Sequence, residues 1–338
     1  MTGVAHHTVL LEEAGQRLDR WFRRHYPALP HGAVEKLLRR GQVRLDGARV
    51  RANARLEEGQ VIRIPPLENT DTNTGARQGA PLSEANKDFV RSLVLYQDDN
   101  IIALNKPCGL AVQGGSGLTR HLDGLLDGLC FDKPERPRLV HRLDKDTSGV
   151  LLLARTLPAA THLGRVLKAG QVKKLYWGLT LSLPHPERGV IDQALMKRSQ
   201  GSPDSQGYEM IYPEPCHNKG AKKAVTRYVT LATAGRRFAW VAFQPVTGRT
   251  HQIRVHAASL GMPIAGDRKY GNPSESLGGL PDVMHLHARA LSVPQLDGGR
   301  LEIVAPLPPH MTTSWEMLGF EIREGEGDID ALFEEGAR

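Results

Sequence analysis

Residues 138–155, RLVHRLDKDTSGVLLLAR, set the densest polar cluster of the chain directly before an apolar run, so a charged, glycine-terminated loop feeds a buried strand. A loop of that kind holds its side chains on a rigid edge. Within it Asp144 follows Arg142 and precedes Lys145, Asp146, Thr147 and Ser148. Nearby cations favour the ionised carboxylate, and an ionised, partly desolvated aspartate can serve as a nucleophile or as a base. Loop aspartates also cap backbone amides in ordinary turns, so the loop alone leaves both duties open.

A second cluster is VTGRTHQIRVHAASLGMPIAGDRKYG, residues 246–271, where a glycine turn precedes Arg249, His251, Gln252, Arg254 and His256. On a helix starting near Thr250, Arg254 lies one turn from His251 and Ala258. His251 and His256 are five apart, not the four of a helical zinc pair, which disfavours metal ligation. The plain alternative is a basic helix face on phosphate. The third cluster, VKKLYWGLTL, puts Tyr176 and Trp177 on opposite faces of a strand after Lys173 and Lys174. One aromatic can then be core while the other lines a site, and an aromatic beside cations suits an extruded nucleobase.

The elements that must position these residues form two groups. At the front, Leu18, Trp21, Phe22 and His25 follow helical spacing up to Pro27 and Pro30, and a second helix carries Val34, Leu37 and Leu38. GQVRLDGARV then alternates about Asp46-Gly47, a hairpin signal. Residues 67–87 lack an apolar period and are rich in Asn, Thr, Gly and Ala, so a flexible linker is expected over 67–88. From Phe89 onward short β-rich runs dominate, with helices expected at 121–129, 159–169 and 250–260. That balance implies an α+β domain on a largely antiparallel, mixed sheet with peripheral helices. Residues 196–220 are expected to be a polar insertion, a solvated loop or an RNA contact through Lys197, Arg198 and Lys219. Residues 319–338 carry seven Asp/Glu against two Lys/Arg, an acidic solvated end or short helix.

With 338 residues, two domains are the natural expectation. The net charge of +7 suits a polyanionic partner, and residues 1–66 concentrate it, with twelve Lys/Arg against seven Asp/Glu. Cys108, Cys130 and Cys216 form no closely spaced pair, so neither a zinc site nor a disulfide framework is indicated. No apolar run suits export or a membrane span, and a cytoplasmic protein is expected.

In this order and spacing, HRLDKDTSG, KKLYWGL, TGRTHQIRVHAASLGMPIAGDRKYG and HLHARAL, with NKPCGLAVQ at 105–113, closely resemble the RluA-type pseudouridine synthases, above all the RluC/RluD branch acting on large-subunit ribosomal RNA. HGAVEKLLRRGQVRLDG resembles, more loosely, the S-four-like (αL) RNA-binding domain. The resemblance implies an S-four-like domain over 1–66, a catalytic domain of pseudouridine synthase fold over 89–310 and a C-terminal extension over 311–338. It implies isomerisation of uridine to pseudouridine in 23S ribosomal RNA by base flipping, without cofactor or metal, in a monomer that meets no membrane. Asp144 becomes the essential aspartate, Arg142 the residue that helps displace the base, Tyr176 the aromatic under the uracil, and Arg254 the partner of Asp144. Arg39, Arg40, Arg44, Lys173, Lys174, Arg249 and His251 become RNA contacts. Two rivals remain: a metal-dependent RNA hydrolase using Asp144 and Asp146 on magnesium, where Arg142 and Lys145 compete for the carboxylates, and a non-catalytic RNA-binding factor, which leaves the Asp144 loop unexplained.

Overall fold

A computed structural model of the chain describes residues 3–26, 29, 31–67, 82–114, 120–200, 208–271 and 277–334. The chain divides into two compact units, Met1–Pro81 and Leu82–Arg338. Among the described residues no helix is long and apolar enough to cross a membrane.

In the first unit the helical spacing becomes α1 (Leu18–His25) and α2 (His31–Arg39), while the expected stops Pro27 and Pro30 lie outside the described residues. The hairpin forms as β2 (Arg44–Leu45) and β3 (Ala48–Arg49). Asp46 and Gly47 both take positive φ, 49° and 77°, as a tight turn between twisted strands requires. Two strands join it that the sequence did not announce: β1 (Ala5–Thr8) and β4 (Val61–Ile64), giving the antiparallel order β1-β4-β2-β3. Leu18, Trp21, Phe22, Val34, Leu38, Ile62 and Ile64 make its core. Buried Glu13 ties β1 to α1, accepting from Leu10 N and Trp21 Nε1, with His7 Nε2 at 2.9 Å and His25 Nε2 at 2.6 Å. His7, Glu13 and His25 gather metal-ligand types, but at the separations of direct hydrogen bonds.

The second unit begins earlier than expected, because the linker expectation runs into structure. Helix α3 (Glu84–Ser92) is capped by Ser83, whose hydroxyl accepts from Asn86 N, and buries Val90. Leu67 likewise packs against the first core, so the expected 67–88 linker is too long at both ends, and residues 68–81 lie outside the described residues. After β5 (Val94–Gln97) and β6 (Ile101–Lys106) comes a 3-10 segment, Leu122–Leu129, where an α-helix was expected. Then follow β7 (Arg138–Leu139), β8 (Ser148–Ala154), α4 (Leu157–Lys168) and β9 (Lys173–Thr180). The chain continues through β10 (Arg188–Asp192), β11 (Leu195–Gln200), β12 (Tyr208–Pro213), β13 (Val225–Ala234) and β14 (Phe238–Pro245). It ends with α5 (Gln252–Ser259), β15 (Leu286–Pro294), β16 (Arg300–Val304) and α6 (Pro309–Leu318).

One ten-stranded sheet runs β10-β13-β14-β9-β15-β8-β6-β5, with β16 on β15 and β7 on β8. Its pairs are antiparallel except β8 with β15, which run parallel at the centre. Helices cover both faces there, so β8 is buried along its whole length and reads as the continuous run SGVLLLA. Gly149 makes that central contact possible: its φ is +107° and a Cβ would lie 2.2 Å from Ala288 O. No other residue fits there.

Two further expectations are corrected. The polar segment 196–220 is not a solvated loop: Leu195–Gln200 and Tyr208–Pro213 pair as the antiparallel β11-β12 hairpin, and Arg198 bonds Glu214. Its residues 201–207 lie outside the described residues. The segment 311–338 is not an appendage, because Met311, Trp315, Phe320 and Ile329 enter the core around Trp177 and Trp240. The acidic composition concealed that apolar stripe.

Candidate active site

Where β9, β14 and the turn before α5 approach the loop preceding β8, a pocket of about 290 Å³ opens. Arg142, Asp144, Lys174, Tyr176, Arg249, His251 and Arg254 all line it, so the three clusters converge although more than 100 residues separate Asp144 from Arg254. Lining volumes near this size suit one small planar ligand. Asp144 is the sole carboxylate of the lining, and Asp146 is not part of it.

The Asp144 loop is sewn in place by NKPCGLAVQ. Lys106, fully buried, donates its three protons to the carbonyls of Pro107, Leu110 and Lys145. Gly109 N donates to Lys145 O, and Thr147 N to Asp144 O. Burial pushes the Lys106 ammonium down to about 8. In the sequence Lys106 is only a member of the NKPCGLAVQ motif, because its acceptors are carbonyls, which no residue type reveals.

Asp144 faces Arg254 Nη1 at 3.9 Å through Oδ2, and His251 Nε2 at 3.9 Å through Oδ1. Both are beyond direct hydrogen-bond length and inside ion-pair range. Burial raises the Asp144 carboxyl above its ordinary value, while Arg254, Arg142 and Lys106 oppose that rise. A carboxylate in that balance is poorly solvated, with burial favouring its neutral form and three cations favouring its charged one.

Arg254 reaches Asp144 as expected, but its main anchor is a residue the sequence did not single out. Asp267 accepts from Arg254 Nε at 2.7 Å and Nη2 at 2.6 Å, and from the amides of Lys269 and Tyr270. These donors outweigh burial and lower the Asp267 carboxyl. Helix α5 is not the basic surface face of the plain alternative. Gln252 through Ala257 are buried, His256 meets Thr226 and Gln193 O, and Gln252 clamps Val225 O and Thr226.

Tyr176 and Trp177 divide as the strand period requires: Tyr176 lines the pocket and Trp177 is fully buried. Burial raises the Tyr176 phenol, with Asp144 adding to it, so the hydroxyl stays protonated. Lys174 lines the pocket, and Arg249, also in the lining, bonds Lys223 O. Lys173 is outside the pocket lining and bonds Asp330 of the C-terminal segment. In the first unit Arg39 and Arg40 are exposed, while Arg44 folds back onto Gly41 O and Gly47 O.

Residues 100–259 match the family model described as RNA pseudouridylate synthase. The ribosomal large subunit pseudouridine synthase C of Rickettsia typhi is 35% identical over 300 residues, covering 88% of this chain and 95% of its own. RNA pseudouridine synthase 4, mitochondrial, of Arabidopsis thaliana is also 35% identical, over 88% of this chain and 78% of its own. Among solved structures, human RNA pseudouridylate synthase domain containing 4 aligns with a TM-score of 0.59 at 32% identity, covering 70% of this chain and 98% of that one. With its catalytic unit, its pocket and these relatives in agreement, the chain belongs to the RluA-type RNA pseudouridine synthase family.

Proposed function

We propose that this enzyme isomerises specific uridines in large-subunit (23S) ribosomal RNA, with Asp144 as its reacting carboxylate. The observation that carries this is the pocket itself: one carboxylate, Asp144, faces Arg254 and His251 in a base-sized cavity walled by Tyr176. The ribosomal substrate is supported by the relatives named for the large subunit.

Isomerising uridine means breaking the glycosidic bond, turning the uracil and rejoining it to the sugar through a ring carbon. Atoms and electrons are conserved, so the step calls for no redox partner. Asp144 either attacks the sugar carbon or removes a sugar proton, and each role requires the ionised form that Arg254, Arg142 and Lys106 favour. The target must first leave its stack, at a cost of about a few kcal/mol. Tyr176 offers the extruded base a ring face, and Arg142, exposed at the pocket rim, fills the space it vacates. The first unit, with Arg39 and Arg40 exposed, serves as an S-four-like anchor on RNA.

Pseudouridine mapping of 23S ribosomal RNA from cells lacking the gene tests the substrate. Complementation by the native chain should restore the missing modification, and Asp144→Asn, which keeps size and removes charge, should not, although its RNA binding persists. Normal conversion by Asp144→Asn would refute the assignment.

A further inference from the structure

His251 sits at the start of α5 in a left-handed backbone conformation, φ 55° and ψ 18°, which a side chain other than glycine rarely adopts. Such strain persists only where the surroundings fix it, and it gathers at functional sites. Here it aims the imidazole along the pocket wall, with its two nitrogens on different partners. Nδ1 lies 2.7 Å from Tyr270 Oη, and Nε2 lies 3.9 Å from Asp144 Oδ1. The Tyr270 and His251 rings meet edge to face, 5.4 Å between centroids.

The direction of the Tyr270 to His251 bond follows from counting protons. A phenol has one proton to donate and lone pairs to accept with. Tyr270 Oη already accepts from the amide of Ile211, at 3.2 Å, on strand β12. An amide donor cannot take the phenol proton, and His251 Nδ1 is the other polar atom bonded to that oxygen. Burial, followed by Arg254 and Lys269, pushes the His251 imidazole down to about 3, so the ring is neutral and carries one proton. With Nδ1 accepting from the phenol, that proton is on Nε2, facing the carboxylate. The opposite tautomer would set a nitrogen lone pair against Asp144 and leave the phenol proton without a protein acceptor.

We propose that Tyr270 is a positioning residue of this site, locking His251 as its Nε2–H tautomer so that a neutral donor faces Asp144 Oδ1 while Arg254 faces Oδ2. The inference rests on Asp144 being the reacting carboxylate. It gives the β11-β12 hairpin a task, since the Ile211 amide orients the phenol that orients the imidazole. At 3.9 Å Nε2 makes no direct hydrogen bond to Oδ1, so its N–H can donate to a substrate oxygen beside the carboxylate.

The test uses the full chain with ¹⁵N-labelled histidine, the His251 signals being identified by their loss in His251→Gln. Without RNA, the native protein should show a protonated Nε2 and an unprotonated Nδ1 at neutral pH. Tyr270→Phe keeps the ring and removes the O–H, so the two tautomers should mix. The kcat for pseudouridine formation should then fall about five- to tenfold, the worth of one neutral hydrogen bond, with KM for RNA little changed. A proton on Nδ1 in the native protein would overturn the proposal, and so would a Tyr270→Phe variant whose signals and kcat match the native ones. A variant that merely melts earlier with its tautomer intact would also overturn it. Because the tautomer is read on free protein, it is separate from whether Asp144→Asn is inactive, which decides the assignment of Asp144.

Discussion

Asp267→Asn isolates the anchor of Arg254 with the least change in shape. In the native site Oδ1 accepts from Arg254 Nη2 at 2.6 Å, Lys269 N at 2.9 Å and Tyr270 N at 3.1 Å, and Oδ2 accepts from Arg254 Nε at 2.7 Å. Asparagine keeps the three bonds at Oδ1 and turns an N–H toward the Nε–H of Arg254. One bond becomes a clash of donors, and a negative charge leaves a pair whose side chains are 1% and 6% exposed. Removing one partner of a buried pair costs about 3–5 kcal/mol. The three retained bonds, and Asp144 at 3.9 Å as a substitute counter-charge, place this case near the low end, about 3 kcal/mol. For a unit of this size that lowers Tm by about 6–12 °C. Calorimetry of the full chain reads it, and a cycle with Arg254→Leu separates pair from packing: in that background Asp267→Asn should cost about 1 kcal/mol or less. Arg254, released, should close on Asp144 and misplace it, cutting turnover about a hundredfold, as displacements near 1 Å do. Native Tm and turnover in Asp267→Asn, or additive effects in the cycle, would refute the anchoring role.

Burial holds the Asp144 carboxyl above its ordinary value and Arg142 opposes it, so Arg142→Gln should raise it further. In the role proposed for Asp144 the ionised form works, hence the acid limb of kcat/KM should move to higher pH, and an unmoved limb would show that the Arg142 charge is not felt. Burial would raise Glu13, but the N–H donors of Leu10, His7 and Trp21 outweigh it and hold the carboxyl at about 2, below the usual 4.5. A depressed carboxylate stabilises the fold above the unfolded value and loses that contribution as pH falls through the folded one. Thermal melts at pH 7 and pH 3 should therefore show the first unit losing stability in the native chain and far less change in Glu13→Gln. Tyr176→Phe should keep most of kcat/KM, whereas Tyr176→Ala should lose the stacking of one base, about 1–3 kcal/mol or roughly 5- to 150-fold. Equal activity in the two would assign Tyr176 to packing.

The Asp144 loop was legible because each of its parts has a local cause. Charged loop residues followed by VLLLA read as loop then buried strand, and Gly149 stands where Ala288 O leaves no room for a Cβ. The period of two separated Tyr176 from Trp177 for the same reason: alternation is a property of the strand itself. What escaped depends on partners distant in sequence. Asp267 reads as a turn aspartate in AGDRKYG, and nothing in its neighbours says that the turn folds back onto Arg254, 13 residues earlier. The β11-β12 hairpin has polar residues between few buried ones, Leu195 and Ile211, so its strand pattern is weak until Val255 and Tyr270 pack against it. The acidic tail hid Phe320 and Ile329 because charge count says nothing of which face a residue takes. In each case the missing information is a contact made by the fold, and Asp267 and Tyr270 show the consequence. The residues that touch the pocket could be found by type and spacing, whereas the residues that fix their protons and rotamers became visible only once the chain had closed around them.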